Sequence, residues 1–214
     1  MTVKVPGALR FLITAGPTRE FIDPIRFISN RSSGKMGYAL AEAARDISPH
    51  VVLVSGPTAL LQPKDVEFIP VITAEAMAKA VLPRFEQCDV AIMAAAVCDF
   101  RPASTATLKI KKGTFDGTLK LAPTTDIAAE LGKLKKTQIL VGFAAETDNL
   151  ERNAMDKLRR KRFDLIVANE ASAFEADTNT ATLVGLDGTP ERLPEMSKKL
   201  LAATIIQRVL RMLG

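Results

Sequence analysis

Six short apolar runs constrain this chain before anything else does: RFLITAG, HVVLVSG, VEFIPV, CDVAIMAAAV, QILVGFAAE and FDLIVAN. They are bounded by turn residues, rich in β-branched side chains and little alternated, which is the pattern of strands buried on both faces. Helical patterns lie between most of them. MGYALAEAARD puts Met36, Leu40 and Ala43 or Ala44 on one face. AEAMAKAVLPRF and NLERNAMDKLRRKRF repeat that spacing, and a last helix is predicted over residues 196–213. Strands alternating with helices predict an α/β fold: a doubly wound, mostly parallel, Rossmann-like sheet with right-handed crossovers. The 214 residues suffice for a sizeable core and are read as one domain, 1–214.

Sheets of this kind take ligands at the carboxyl ends of their strands. That rule lines up TAGPTRE, VSGPT, AAAVCDF, FAAETDN and ANEAS along one rim. Two segments break the alternation. ATLKIKKGTFDGTLKLAP, residues 106–123, alternates apolar and polar residues around a Gly/Asp turn and predicts a protruding β-hairpin, with a flap at 106–121. TATLVGLDGTPERLP predicts a second hairpin with Asp187 and Gly188 in its tight turn.

Composition removes several classes of function. Cys88 and Cys98 cannot build a disulfide framework or a metal cluster, and the lone His50 falls at the start of a strand. A zinc site or a Cys/His nucleophile pair is therefore not expected. No apolar run reaches membrane-spanning length and the first residues lack a signal-peptide cleavage region, so a cytoplasmic protein without membrane partners is expected. The net charge of +5 comes without tryptophan and with one tyrosine, so stacking platforms for nucleic acid are missing. The basic excess is assigned to small polyanions such as nucleotides.

SNRSSGKMGYALAEAARD, residues 29–46, passes from polar and glycine-rich to helical without a break. It satisfies neither G-x-G-x-x-G directly after the first strand nor the P-loop pattern. Ser32, Ser33, Gly34 and Gly37 nevertheless offer N–H groups and hydroxyls at a helix N-terminus, where the dipole favours anions. The two glycines are expected to let a phosphate approach the backbone, with Lys35 adding charge. An ordinary N-cap with a tight turn fits this stretch equally well. The preceding insertion TREFIDPIRFISNR tilts the balance toward a site, because it sets Arg19, Arg26, Arg31 and Asn30 beside the helix start.

ITAGPTREFIDPIRFISNRSSGKMGYALAEAA closely resembles the opening of the phosphopantothenoylcysteine synthetase family. MAAAVCDFRP, LKIKK, TTDIAAELG, LVGFAAETDN and KRFDLIVAN follow in family order, strongly to Asn169 and more loosely beyond. The resemblance implies that the chain joins 4′-phosphopantothenate to L-cysteine, using CTP with Mg²⁺ and an acyl-cytidylate intermediate. It implies that Asn30 assists conversion of the activated acyl group, with Arg31 beside it at the substrate. Lys109 would reach the nucleotide phosphates from the flap. Nucleotide contacts are implied for Gly16, Ser32, Ser33, Gly34, Ala95, Ala96, Asp99 at the ribose, Phe143 at the base, and Lys157 and Lys161. Thr124, Thr125, Asp126 and Ile127 occupy a turn where relatives often have Asn-Pro, so the side-chain contact there departs from the family pattern.

A homodimer is also implied. The flavin-dependent decarboxylase half found upstream in relatives is not in this sequence, so a stand-alone synthetase or an excised domain is expected, with a separate decarboxylase as partner. Two other classes stay open: an NAD(P)-dependent oxidoreductase, and a non-catalytic nucleotide-binding module. The first lacks both the compact glycine fingerprint and an acid after the second strand, where VSGPT stands.

Overall fold

The structure, a computed structural model, describes residues 8–114, 116–146, 150–170 and 178–214. In chain order its elements begin with β1 (Arg10–Ala15), β2 (Arg19–Phe21), β3 (Phe27–Ser29), α1 (Lys35–Arg45), β4 (His50–Ser55), β5 (Glu67–Pro70) and α2 (Ala74–Phe85). They continue with β6 (Val90–Met93), β7 (Phe100–Pro102), β8 (Leu121–Pro123), α3 (Ile127–Leu134), β9 (Ile139–Glu146) and α4 (Leu150–Lys161). The last are β10 (Leu165–Glu170), β11 (Thr178–Asn179), β12 (Ala181–Gly185), β13 (Pro190–Arg192), β14 (Met196–Ser197) and α5 (Lys198–Leu213).

The main sheet has the order β13-β12-β10-β9-β6-β1-β4-β5. Neighbours from β5 through β10 pair in parallel, and β12 and β13 add an antiparallel edge. Counted along the chain, the parallel strands run 3-2-1-4-5-6 across the sheet, the order of dinucleotide-binding folds. The chain winds outward from β1 through β4 to β5, then returns to β6 on the other flank of β1. The carboxyl ends of β1 and β6 therefore flank the crevice where such sheets bind their ligands.

Both faces of the sheet are covered, which is why its apolar runs scarcely alternate. Phe11, Ile13 and Ala15 pack beneath α1 and α5, while Leu12 faces the layer of α2, α3 and α4. Each large β1 side chain removed from water in this way contributes about 1.5–3 kcal/mol. Leu40 and Ala44 of α1 are fully buried, with Met36 and Ala43 packed at the margin.

The second hairpin forms as expected: β12 pairs antiparallel with β13, and Gly188 takes a positive φ of 76° in the turn. The final helix starts at Lys198, because Met196–Ser197 pairs with β11 instead. The first hairpin is corrected. Pairing joins Phe100–Pro102 to Leu121–Pro123, and the described residues between them carry only a short 3-10 turn at Lys112–Thr114. Its apolar members do not find a face to bury, since Leu108 stays 79% exposed and Leu119 is also on the surface. An isolated two-stranded hairpin is marginal in water without such burial. The main chain of this segment bonds instead to the β2–β3 ribbon, through Ala106 N–H to Ile22 O at 2.9 Å. Of the rim segments read from sequence, residues 147–149 and 171–172 lie outside the described residues.

Candidate active site

Beyond their last paired residues, β1 and β6 stay joined. Ala96 N–H donates to Gly16 O at 2.9 Å, Thr18 N–H donates to Ala96 O at 3.3 Å, and Ala95 N–H donates to Thr14 Oγ1 at 3.1 Å. Ala95 and Ala96 are half-buried and present only methyl groups there.

Three glycines converge at this point. Gly16 and Gly34 have φ of 71° and 77°, and a Cβ added to Gly34 would lie 3.4 Å from the Cα of Gly16. A Cβ on Gly37 would fall 2.5 Å from Ala15 Cβ and 2.9 Å from Thr14 O. These are the tasks of the dinucleotide fingerprint: a tight turn after the strand, an open helix start, and close helix–strand packing. Here residues 17–33 separate the first glycine from the second, so the linear pattern is broken while the arrangement in space persists. The space beside Gly34 is filled by Thr58 Cγ2, 2.6 Å from an added Cβ, and that beside Gly37 by Ala15, so packing alone already requires that both positions lack a side chain.

The anion capacity of the helix start resides in its N–H groups. Gly34 is the N-cap of α1 and makes no side-chain cap. Ser32 Oγ accepts from Gly34 N–H at 3.3 Å, and Ser33 Oγ lies 3.5 Å from Lys35 N, a long contact. The intrahelical ladder begins with Tyr38 N–H to Gly34 O, leaving the Met36 and Gly37 N–H groups without intrahelical partners. They stand at the positive end of the dipole.

The insertion after β1 is the β2–β3 ribbon, with Arg19↔Ser29 and Phe21↔Phe27 in register. Thr18 Oγ1 accepts from Cys98 N–H at 3.0 Å, Arg19 N–H donates to Ile72 O at 2.7 Å, and buried Glu20 accepts from Ala74 N–H at 2.8 Å. The Arg19 guanidinium lies over the Phe27 ring, 4.6 Å from its centroid. Asn30 leaves the ribbon and donates both amide hydrogens, to Ala96 O at 3.2 Å and Val97 O at 3.0 Å. With two carbonyls as partners only the nitrogen can face them, which fixes the amide orientation. Both amide hydrogens of Asn30 are committed to these carbonyls, and Oδ1 remains as acceptor. Arg31, next along, is exposed.

Asp99 and Thr124 meet at the rim: Thr124 N–H donates to Asp99 O at 2.9 Å and Thr124 Oγ1 to Cys98 O at 2.5 Å. The exposed Asp99 carboxylate makes no hydrogen bond among the described residues, and Thr125 beside the cap is exposed too. Asp126 caps α3 by accepting from Ala129 N–H at 3.1 Å and pairs with Lys161 Nζ at 2.8 Å. Burial pushes the Asp126 carboxyl up, but the Lys161 hydrogen bond, the Ala129 N–H and nearby positive charge outweigh it and hold the group below its ordinary value. Lys161 is thus engaged with the α3 cap. The Ile127 side chain is buried in the α2–α4 layer, so only its main chain can meet a ligand.

Lys157 Nζ donates to Phe143 O at 2.7 Å, just past the last β6–β9 pair, Met93↔Gly142. The Phe143 ring is half-buried against the α1/α5 core. Lys109 stands apart, exposed between β7 and β8, with no hydrogen bond or ion pair among the described residues. Burial pushes the Cys98 thiol up and the Cys88 thiol to about 12, so neither is a thiolate nucleophile near neutral pH.

Sequence reasoning missed the partner of the first turn. Gly16-Pro17-Thr18 and Gly56-Pro57-Thr58 repeat one tripeptide after neighbouring strands, and the two copies interlock: a Cβ on Gly56 would fall 1.8 Å from Pro17 O. The repetition was the available signal. At the end of β4, buried Ser55 donates to Gly56 O at 2.8 Å and lies 3.3 Å from the Tyr38 hydroxyl, which also accepts from Thr58 at 3.1 Å.

Residues 7–213 match the family described as DNA/pantothenate metabolism flavoprotein C-terminal domain. The coenzyme A biosynthesis bifunctional protein CoaBC of Bacillus subtilis is 51% identical over 203 residues, covering 92% of this chain and 50% of that protein. A protein named cysteine/cysteine sulfinic acid decarboxylase, from an unknown prokaryotic organism, is 45% identical over 216 residues, covering 98% of this chain and 60% of the other. The chain thus spans about half the length of the curated relatives it matches. The crystal structure of a C-terminal domain of CoaBC aligns with a TM-score of 0.85 at 43% identity, covering 98% of this chain and 97% of that one. With the split glycine turn at the switch of the sheet and a match running nearly end to end, the chain belongs to the DNA/pantothenate metabolism flavoprotein C-terminal domain family.

Proposed function

We propose that this chain is a phosphopantothenate–cysteine ligase of coenzyme A biosynthesis that activates its acid with CTP. The observation that carries this reading is the 43% identity to the CoaBC C-terminal domain over almost the whole of both chains. A carboxylate is a poor acyl electrophile. One of its oxygens attacks the α-phosphorus of CTP, the bond to pyrophosphate breaks, and an acyl-cytidylate forms. The cysteine amine then attacks the acyl carbon, the amide forms, a proton leaves the nitrogen and CMP departs. The protein's task is to hold polyanions and to meet charge developing on oxygen.

In this reading the Met36 and Gly37 N–H groups and Lys35 receive phosphate, and Lys157 lies where a further phosphate oxygen would compete for its ammonium. Asp99 offers an acceptor to the ribose, and Ala95 and Ala96 leave a flat place for the base. Lys109 reaches the triphosphate from its exposed segment. Asn30 presents Oδ1 to the amine or amide hydrogens at the acyl centre, and Arg31 is the cation beside the acid substrate. Mg²⁺ would enter with the nucleotide and offset the charge on its phosphates.

A cytoplasmic homodimer belongs to the same proposal. Ile25, Phe27, Phe100, Leu108 and Leu121 expose apolar surface on the ribbon, on the neighbouring β7–β8 pair and on the segment between those two strands, which supports contact with a second copy. A monomeric mass at micromolar concentration rejects it. A flavin-dependent phosphopantothenoylcysteine decarboxylase would consume the product.

The deciding experiment incubates the protein with Mg²⁺, 4′-phosphopantothenate and cysteine, with CTP or ATP in separate reactions, and identifies products by mass. Phosphopantothenoylcysteine, CMP and pyrophosphate with CTP are expected. Product with ATP alone overturns the nucleotide, and CTP binding without pyrophosphate release favours a non-catalytic module. An NAD(P) oxidoreductase is disfavoured by Ser55, which is buried and bonded where such folds carry an acid for the ribose.

A further inference from the structure

We propose that Asp23 is a positioning residue for Lys109: with Arg26 it clamps the main chain of Ile110 and so fixes where the preceding lysine stands. The proposal rests on the role given to Lys109 above. Asp23 is fully buried at the tip of the ribbon. Its carboxylate accepts from Ile25 N–H and Arg26 N–H, both at 2.9 Å, and from Arg26 Nε at 2.9 Å and Nη2 at 2.5 Å. Those bonds already satisfy a turn. Yet the same carboxylate also accepts from Ile110 N–H at 3.1 Å, across 87 positions of sequence. Arg26 Nη2 completes the clamp by donating to Ile110 O at 2.7 Å.

Both main-chain groups of one residue are thereby held by side chains, as a partner strand would hold them. The limb leading to Ile110 is docked along the same ribbon, through Ala106 N–H to Ile22 O at 2.9 Å and Thr105 Oγ1 to Phe21 O at 3.0 Å. These bonds give the limb main-chain partners without a hairpin. Charge is handled as well. The Arg26 guanidinium, first among several donors, holds the Asp23 carboxyl well below the usual carboxylate range. Because Arg26 neutralises it, the clamp fastens the segment without offering Lys109 a carboxylate to pair with. The ammonium stays available for phosphate.

The test is a double-mutant cycle on single-turnover pyrophosphate release by the full chain: wild type, Asp23→Asn, Lys109→Gln and the pair. Asp23→Asn keeps the shape and removes the charge. It is expected to slow release about 10–100-fold, the scale of a misplaced reacting group, and to add little once Lys109 is gone. Amide exchange at Ile110 is expected to speed up while β1 amides keep their protection, which a loss of global stability would not spare. Effects that multiply in the double variant, or an unchanged Ile110 exchange rate, overturn the clamp alone. An unchanged Lys109→Gln rate overturns the assigned role of Lys109 and the inference with it. Should Asp23→Asn fail to fold, Ile110→Pro deletes the same hydrogen bond from the other side and is expected to give the same kinetic loss.

Discussion

Asn30 directs its amide nitrogen at Val97, 3.0 Å from the carbonyl oxygen, with Ala96 O sharing the same NH₂ group at 3.2 Å. The side chain is held by the main chain that extends β6 over the crevice. Asn30→Asp would set a carboxylate against two carbonyl oxygens with no hydrogen to give, so the side chain must turn away. In the proposed reaction this slows conversion of the acyl-cytidylate by about 10²–10³-fold, the usual loss for one misplaced charge-stabilising group. Rapid-quench measurement separates that step from pyrophosphate release, which is expected to change much less. Equal losses in both steps reject a role confined to the second.

Gly37 is fixed by packing. A methyl there would fall 2.5 Å from Ala15 Cβ and 2.9 Å from Thr14 O, and main-chain atoms cannot step aside. Gly37→Ala is expected to destabilise the fold by about 1–3 kcal/mol, as overpacking does. At this chain length that corresponds to a Tm lowered by about 2–4 °C per kcal/mol. Denaturant titration checks it, and an unchanged midpoint rejects the claim that α1 seats directly on β1 here.

Asp126 links stability to acid. Its carboxyl is lowered in the folded chain, where burial raises it but Lys161 and the Ala129 N–H prevail. The stabilisation is therefore complete above the unfolded Asp value of about 3.9 and is lost as pH falls through the lower folded value. Half the side chain is open to solvent, so screening keeps the effect modest. Denaturant midpoints of wild type and Asp126→Asn are expected to differ near neutrality and to converge in that acid window. A constant difference down to pH 2 would mean that the cap, and not its charge, is what matters.

The thiols are expected to be silent. Cys88 and Cys98 are both buried, with their pKa values raised by desolvation. Iodoacetamide at pH 8 should leave the native chain unmodified and alkylate both residues after unfolding, as read by intact mass. Rapid native alkylation at Cys98 would show that the loop after β6 opens far more than its bonds to Thr18 imply.

Much of the architecture was legible because burial on both faces writes itself into composition. RFLITA and VAIM scarcely alternate, since layers of helices cover both sides of β1 and β6. The rim followed from that, whereas the nucleotide contacts at Gly16, Ala95, Ala96 and Asp99 were implied by the family resemblance alone. The 106–121 segment misled because alternation is evidence for a strand only when one face has something to cover. Leu108 has nothing. At Gly34 and Gly37 the sequence shows that a side chain is missing, not which neighbour fills the space, and Thr58 and Ala15 do so. Lys161 was placed correctly on its helix, but no local pattern reveals that an aspartate 35 positions earlier takes its charge.

The β2–β3 ribbon has a consequence for how such a protein can change. Most sheets of this type carry their terminal loops as separate tenants, so one can be exchanged for another and the preference for a ligand drifts piecemeal. Here the loops after β5 and β6 and the segment past β7 are moored to a single strip of main chain, through Ile72, Ala96 and Ala106. An alteration in any of them is transmitted to the rest. Acquiring a different cosubstrate would demand concerted revision of the whole mouth, and libraries that diversify one loop at a time are expected to return mostly inactive progeny.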